Sequence, residues 1–504
     1  MSSIQSQDNT LEYDIIIIGS GAGGGTLAKE LSPLIKEKGI KIALLEWGGE
    51  FRAQDNIREE YPMAKKYFFD GGGVQNVQQD VTFAFAKGIG GSTTVYTGTS
   101  LTAPQQVFDR WNIEGIDLKE MAPRYEKYKK ENNVHLKSAD EINENNTLFR
   151  DGCKNLGIHV DQFPVNTKGC QGEGYCNLGC PNLAKQGTAA VQIPVAKNNG
   201  VHIFPFTKAN KIVGKTVLAT VSASQFGLEG SPLKPGDYKF KAKRFIVSCG
   251  SAVNTPALLM RSYGENFLPA IGKYFTCHPA LILVGDHGRK VQNMDGHPKS
   301  FFCEEYMESD RFLLETCMYF PFVLAKNLNG YGEDMDSLMS SFPNLQMILS
   351  LCLDKAKEKN RIGIGSDGEP KIYYDLDDEI ITTFVKSIRA ATKVFFAAGA
   401  KRVHAPGMEK FFIMPDENEM IDQLISERHF KPGKISIAAA HLMGGARMGA
   451  DPATSVTNEW GQVHGKEHLY VADASLFPQC SEVNPYLTIM ALADRVADKI
   501  RSLI

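Results

Sequence analysis

The sequence predicts an α/β protein, in which a Rossmann-like nucleotide-binding domain is joined to an α+β domain of sheet and helices. Three observations carry that expectation. The chain opens on an apolar run, a glycine turn, a helix-forming stretch and a second apolar run. At 504 residues it is long for one domain and suits two intimately joined ones. From residue 280 to 435, strand-like runs alternate with Phe/Met/Leu-rich helical stretches such as RFLLETCMYFPFVLA and FPNLQMILSLCL.

The first element is the apolar run Tyr13 to Ile18, followed at once by Gly19-Ser20-Gly21-Ala22-Gly23-Gly24. A helix-compatible stretch and a second apolar run, IKIALLEW, bring the chain to Glu46. This is the order of a dinucleotide-binding unit. Gly19 allows the tight turn, Gly21 lets the backbone approach a pyrophosphate, and Gly24 lets the helix pack closely on the strand. Glu46 lies 22 residues after Gly24, near where an acid holds a ribose diol. A glycine-rich turn without a ligand is the bland alternative, but both strands, the helix and the acid are in place.

Further on, Asp70 to Asp80 reads as a long loop running into FAFAKGIGGSTTVYTGTSLTAP, whose backbone is suited to pass close to something flat or anionic. Residues 111 to 150 are polar and helix-like. Strands follow from Val201, and Ser251 to Thr255 cap an apolar helix. The last sixty residues carry His441 in HLMGGARMG and Asn484 in EVNPYLTIMALADR. A proton acceptor and a neutral amide, each in a glycine or proline context, suit an active site.

Composition narrows the class. Apolar content of 43 %, charged content of 22 %, a net charge of −3 and a pI near 6.4 are those of a soluble globular protein. They give no reason to expect nucleic acid or an anionic membrane as partner. The polar start MSSIQSQDNTLEYD has no signal core, and no apolar run is long enough for a transmembrane helix, so a cytoplasmic protein is expected. A partner would be needed to carry it to a membrane. Seven of the ten cysteines are scattered and read as buried thiols. Cys170, Cys176 and Cys180 fall within eleven residues, with glycines between them and a proline after the last. That pattern is characteristic of thiolates holding an iron–sulfur cluster. A disulfide, structural thiols, or another metal with a fourth ligand from elsewhere remain alternatives.

Assembled in order, the GSGAGG turn, the GIGGST loop, GSAVNTPALLMRS, IGKYFTCHP and the C-terminal His…Asn pair resemble the glucose–methanol–choline (GMC) flavoprotein oxidoreductases across nearly the whole chain. The flavour is that of the cholesterol-oxidase, long-chain-alcohol and FAD-dependent sugar-dehydrogenase side of the family. The resemblance implies FAD. Gly19, Ser20, Gly21, Ala22, Gly24 and Glu46 would hold its ADP half. Gly90, Gly91, Ser92 and Thr93 would lie against the flavin and ribityl chain, Asp473 and Ala474 against the ribityl and pyrophosphate, and Pro485 and Tyr486 beside Asn484 at the isoalloxazine edge. Tyr96 departs from the family, which often has asparagine there. The cysteine spacing resembles that of sugar-dehydrogenase subunits holding a [3Fe-4S] cluster.

These pieces imply oxidation of an alcohol to a carbonyl by hydride transfer to flavin N5, with His441 as general base and Asn484 as partner of the substrate oxygen. His278 reads as structural. A cluster would pass electrons to a small subunit, cytochrome or quinone, so a dehydrogenase is expected. The alternatives are an oxidase releasing peroxide and a flavin-binding electron-transfer subunit without turnover. The expected FAD-binding domain is 1–110, 185–275 and 436–504. The expected substrate-binding domain is 111–184 and 276–435, with the cysteine loop at 170–180.

Overall fold

The computed structural model describes residues 9–431 and 435–504; residues 1–8 and 432–434, which the sequence divides between the two domains, lie outside it. The centre of the first sheet is parallel, in the order His202–Phe204, Ile42–Leu45, Thr10–Ile18, Gly236–Ser248 and Leu469–Val471. Ile15, Ile16 and Ile17 of the middle strand are fully buried, as a strand covered on both faces requires. Gly236–Ser248 serves two partners on one side. Its first half pairs antiparallel with Thr216–Val221, and Ile246 to Ser248 pair parallel with Leu469–Val471. The carboxyl ends of the parallel strands therefore open on one side, where ligands bind in such sheets.

The turn after Thr10–Ile18 is built on contact between backbones. Gly19 has φ +97°, a left-handed conformation that favours glycine. A Cβ on Gly24 would lie 1.9 Å from the Gly19 carbonyl oxygen, so the helix Ala22–Leu31 sits directly on the turn. Gly23, which the sequence reading left without a role, is as tight: its Cβ would lie 1.8 Å from the Ala472 carbonyl oxygen. The C-terminal helix Tyr486–Ser502 packs on Ala22–Leu31 from the other side.

The second sheet runs Val74–Gln75, Val81–Phe83, Ile437–Met443, Thr276–Asp286, Leu345–Cys352, Phe312–Thr316, Phe301–Cys303 and Asp161–Gln162. The helix Asp378–Ala397 covers it, started by the Asp377 carboxylate accepting from the Ile380 N–H at 3.3 Å. It packs so closely that a Cβ on Gly285 would stand 2.5 Å from the Phe395 ring. One apolar core runs from sheet to sheet. Two segments that the sequence gives to the nucleotide-binding domain, Val81–Phe83 and Ile437–Met443, are instead strands of this second sheet, paired parallel with each other. The helix Leu118–Glu131, given to the other domain, packs on Tyr486–Ser502. Apolar periodicity marks a strand but not the partner it pairs with. No helix among the described residues is long and apolar enough to cross a membrane.

Gly24→Ala must push the helix off the turn and is expected to cost about 3 kcal/mol or more. Gly230→Ala, where the nearest atom would be the Ser224 Cβ at 3.5 Å, serves as control. Denaturant midpoints of both variants check this, and equal midpoints would contradict the backbone contact.

Candidate active site

A cavity of about 440 Å³ lies between the carboxyl ends of the parallel strands and the second sheet. Gly19, Ser20, Gly21, Ala22, Gly23 and Glu46 wall one region of it, and His278, Lys299, His441 and Asn484 wall another. Gly21 and Gly91 face each other with nothing but backbone, a Cβ on Gly91 standing 2.8 Å from the Gly21 Cα. Gly21 begins the helix Ala22–Leu31 with no side-chain cap. Its first N–H groups and positive dipole end are left for an anionic ligand.

Two buried carboxylates brace this region. Glu46 accepts from the Ser20 N–H at 3.0 Å, the Ser20 hydroxyl at 2.7 Å, and the Gly48 and Gly88 N–H groups at 2.9 Å each. Asp473 accepts from the Ser251 N–H at 2.9 Å, the Thr255 hydroxyl at 2.6 Å and the Ser475 N–H at 2.8 Å. Burial raises the pKa of both, and these hydrogen bonds pull against it. Both acids line the cavity, but their oxygens already tie its rim together.

His441 lies in the strand Ile437–Met443, and Asn484 on the bend before Tyr486–Ser502. The Asn484 Nδ2 is 3.5 Å from Nε2 of His441, and Nδ1 of His441 is 3.0 Å from Nδ1 of His278. An amide nitrogen only donates, so Nε2 of His441 is the acceptor. Its Nδ1 then carries the proton and donates to Nδ1 of His278. The Asn484 Oδ1 and the His278 Nε2 are buried with no protein partner. Burial, and then the charge of Lys299, push the pKa of His441 down to about 3. Burial, with His441 and Arg311 after it, pushes that of His278 well below the usual range. The bend before Asn484 is held by Glu482, which is buried at φ +58° and ion-paired to both Arg110 and Arg311.

The structure brings most of the expected residues to the cavity: Gly91, Ser92, Thr93, Asp473, Ala474, Pro485 and Tyr486 all line it. Gly24 does not, and serves the helix contact instead. Gly90 does not either; a Cβ there would meet Ala189 at 2.7 Å, so it packs on the segment behind the loop. Tyr96 lines the cavity, its hydroxyl accepting from the Asn166 amide at 2.5 Å. Lys299 was missed, since a lone lysine ahead of an apolar run carries no sequence signal. His278 was undervalued because its partner is 163 residues away.

The cysteine loop needs correction. Among the described residues, no group of three or more His, Cys, Asp or Glu side chains is placed to hold a metal, so Cys170, Cys176 and Cys180 do not form the expected ligand set. A buried lysine organises the loop. The Lys185 ammonium donates to the carbonyls of Thr94, Tyr96 and Cys176, tying the loop to the segment lining the cavity. The Cys180 sulfur accepts from the Ala184 N–H at 3.2 Å, and burial pushes the pKa of Cys176 up to about 12. The other seven cysteines are buried and unpaired, as expected.

A histidine with a depressed pKa stays neutral while the unfolded chain takes up its proton. Stability is therefore expected to fall as pH drops through the unfolded value near 6.5 and onward towards the folded value of about 3. Histidine-labelled NMR should show a His441 ring that does not titrate between pH 8 and roughly 5. A His441 signal with a midpoint near 6.5 would contradict the assignment.

The GMC oxidoreductase N-terminal domain matches residues 13–280 and its C-terminal counterpart residues 356–493. The chain is 27 % identical to a long-chain-alcohol oxidase of Arabidopsis thaliana, covering 98 % of this chain and 69 % of that one. It is 21 % identical to choline oxidase of Arthrobacter globiformis, covering 97 % and 94 %. A variant of formate oxidase from Aspergillus oryzae has the same fold, with TM-score 0.71 at 16 % identity over 99 % of both chains. So does an FAD-dependent oxidoreductase from Chaetomium thermophilum, with TM-score 0.70 at 14 % identity over 97 % and 99 %. With both family domains matched in order over most of its length, the chain belongs to the GMC oxidoreductases, a family of FAD-dependent enzymes.

Proposed function

We propose that the protein oxidises the hydroxyl of an apolar alcohol to a carbonyl, with FAD as hydride acceptor and oxygen as final acceptor. The observation that carries this reading is Nε2 of His441 set 3.5 Å from the Asn484 amide nitrogen at the wall of an apolar cavity. The residues fit FAD. The bare backbone of Gly19 to Gly23 and Gly91, with the uncapped helix start, would hold a pyrophosphate. The unpartnered Asn484 Oδ1 leaves a polar group for the ring edge or the substrate. When bound, the FAD supplies the hydride acceptor.

The rest of the work falls to the protein. His441 receives the hydroxyl proton on Nε2, and its Nδ1–H bond to His278 keeps that lone pair facing the cavity. An imidazole with so low a pKa is a reluctant acceptor, so the oxygen it deprotonates needs stabilisation as the hydride departs. Asn484 orients the substrate oxygen without competing for its proton. The substrate floor is apolar. Ala280 stands opposite Leu351, and Ile282 opposite Leu349, on adjacent antiparallel strands, with Phe322 and Val323 beside them. A polyol would find few hydrogen-bond partners there, whereas an alkyl chain would bury surface at about 25 cal/mol per Å². The long-chain-alcohol oxidases among the relatives agree with this substrate class.

The expected dehydrogenase, passing electrons to a small subunit, cytochrome or quinone, drew its support from an exit through the three cysteines. The loop is built around Lys185 instead, and the relatives include a long-chain-alcohol oxidase and choline oxidase. Oxygen is therefore the better-supported acceptor.

Substituting His441→Ala or Asn484→Ala in the FAD-loaded protein tests this reading. Anaerobic flavin reduction by dodecan-1-ol should slow by about 10²- to 10⁴-fold for H441A, with FAD retained. Reduction at the native rate in both variants would overturn it.

A further inference from the structure

We infer that Lys299 is a further catalytic residue, whose ammonium receives the substrate oxygen as its proton leaves for His441. This rests on the alcohol-oxidising reading above. Lys299 lies two residues before the strand Phe301–Cys303, is only 7 % exposed, and lines the cavity together with His441 and Asn484. An ammonium has three N–H donors. Among the described residues it has one acceptor, the Glu315 carboxylate on the neighbouring strand Phe312–Thr316, and its charge lies over the Phe163 ring at 6.0 Å from the centroid. No other described residue accepts from the remaining donors, and Oε1 of Glu315 is buried without a partner among the described residues.

Such an arrangement is poorly explained by stability. A buried ion pair in an apolar wall is often no better than well-packed hydrophobic residues, and one left half-satisfied is worse. It is well explained by charge developing beside it. As the substrate reacts, its O–H bond breaks and the proton goes to Nε2 of His441. The carbinol C–H electron pair leaves as hydride, and an oxygen lone pair closes the C=O bond. Between the first and last of these events the oxygen carries negative charge. Asn484 is neutral and His441 is becoming positive only as it takes the proton, so Lys299 is the fixed cation for that oxygen. Glu315 anchors the ammonium and balances it before substrate binds. The charge of Lys299 bears on His441, and that of Arg311 on His278 while Arg311 is itself paired to Glu482.

The geometry thus points to a site for an oxyanion at the head of an alkyl chain. A fatty-acid carboxylate has that form and cannot give a hydride, so decanoate serves as probe. In FAD-loaded Lys299→Met, kcat on decan-1-ol should fall by about 100-fold with KM little changed, and Lys299→Arg should recover part of it. Decanoate affinity, read from the flavin difference spectrum and by calorimetry, should weaken by about tenfold or more. Glu315→Gln covers the case in which the methionine variant does not fold: decanoate should bind it more tightly than the native protein. Native kcat and native decanoate affinity in Lys299→Met, or unchanged or weaker affinity in Glu315→Gln, would overturn the assignment. If His441→Ala also keeps native kcat, the alcohol-oxidising reading itself falls; if it does not, only the role of Lys299 does.

Discussion

The hydrogen bond from Nδ1 of His441 to Nδ1 of His278 decides which nitrogen of His441 is left as a base. The ring has two nitrogens, and with the proton on Nδ1 the lone pair of Nε2 is unprotonated and meets the Asn484 amide. Reversing the direction would put the proton on Nε2 and remove the acceptor. The bond joins two neighbouring antiparallel strands, Thr276–Asp286 and Ile437–Met443, so the tautomer is held by the second sheet. Burial and a nearby cation then keep the ring neutral, so the lone pair survives where a free imidazole would be losing it.

Around this centre, charge acts as a fastener. Glu46 and Asp473 gather backbone N–H groups at the ends of the parallel strands, and Lys185 gathers backbone carbonyls at the loop facing them. Glu482 does the same for the bend that carries Asn484, drawing an arginine from each side. A buried charge is costly unless its hydrogen bonds are met, so each one fixes the segments that satisfy it. The cavity wall is made largely of loops, and these fasteners give it a defined shape.

Much of this was legible in the sequence where the determinant is local. The strand, glycine turn and helix could be read because Gly19 and Gly24 are required by a backbone contact five residues apart. His441 and Asn484 could be read because each sits in a distinctive short motif. What could not be read depends on strand pairing. Lys299 meets Glu315 only when Phe301–Cys303 pairs with Phe312–Thr316, and Ile437–Met443 joins the second sheet only by lying beside Val81–Phe83. The cysteine loop misled for a related reason. Spacing shows that three thiols are near in sequence, but the loop that carries them is tied down by Lys185, which comes from outside the motif.

The central claim is that this site removes a proton and a hydride from an apolar alcohol and passes the electrons to oxygen. The most direct measurement is stopped-flow mixing of alcohol-reduced protein with oxygenated buffer, following return of the flavin absorbance and the peroxide formed. The account predicts that dodecan-1-ol bleaches the flavin and that oxygen restores it within turnover time, with one peroxide released per flavin. A flavin that is bleached but stays reduced in oxygen, recovering only when a quinone or cytochrome is supplied, would contradict it.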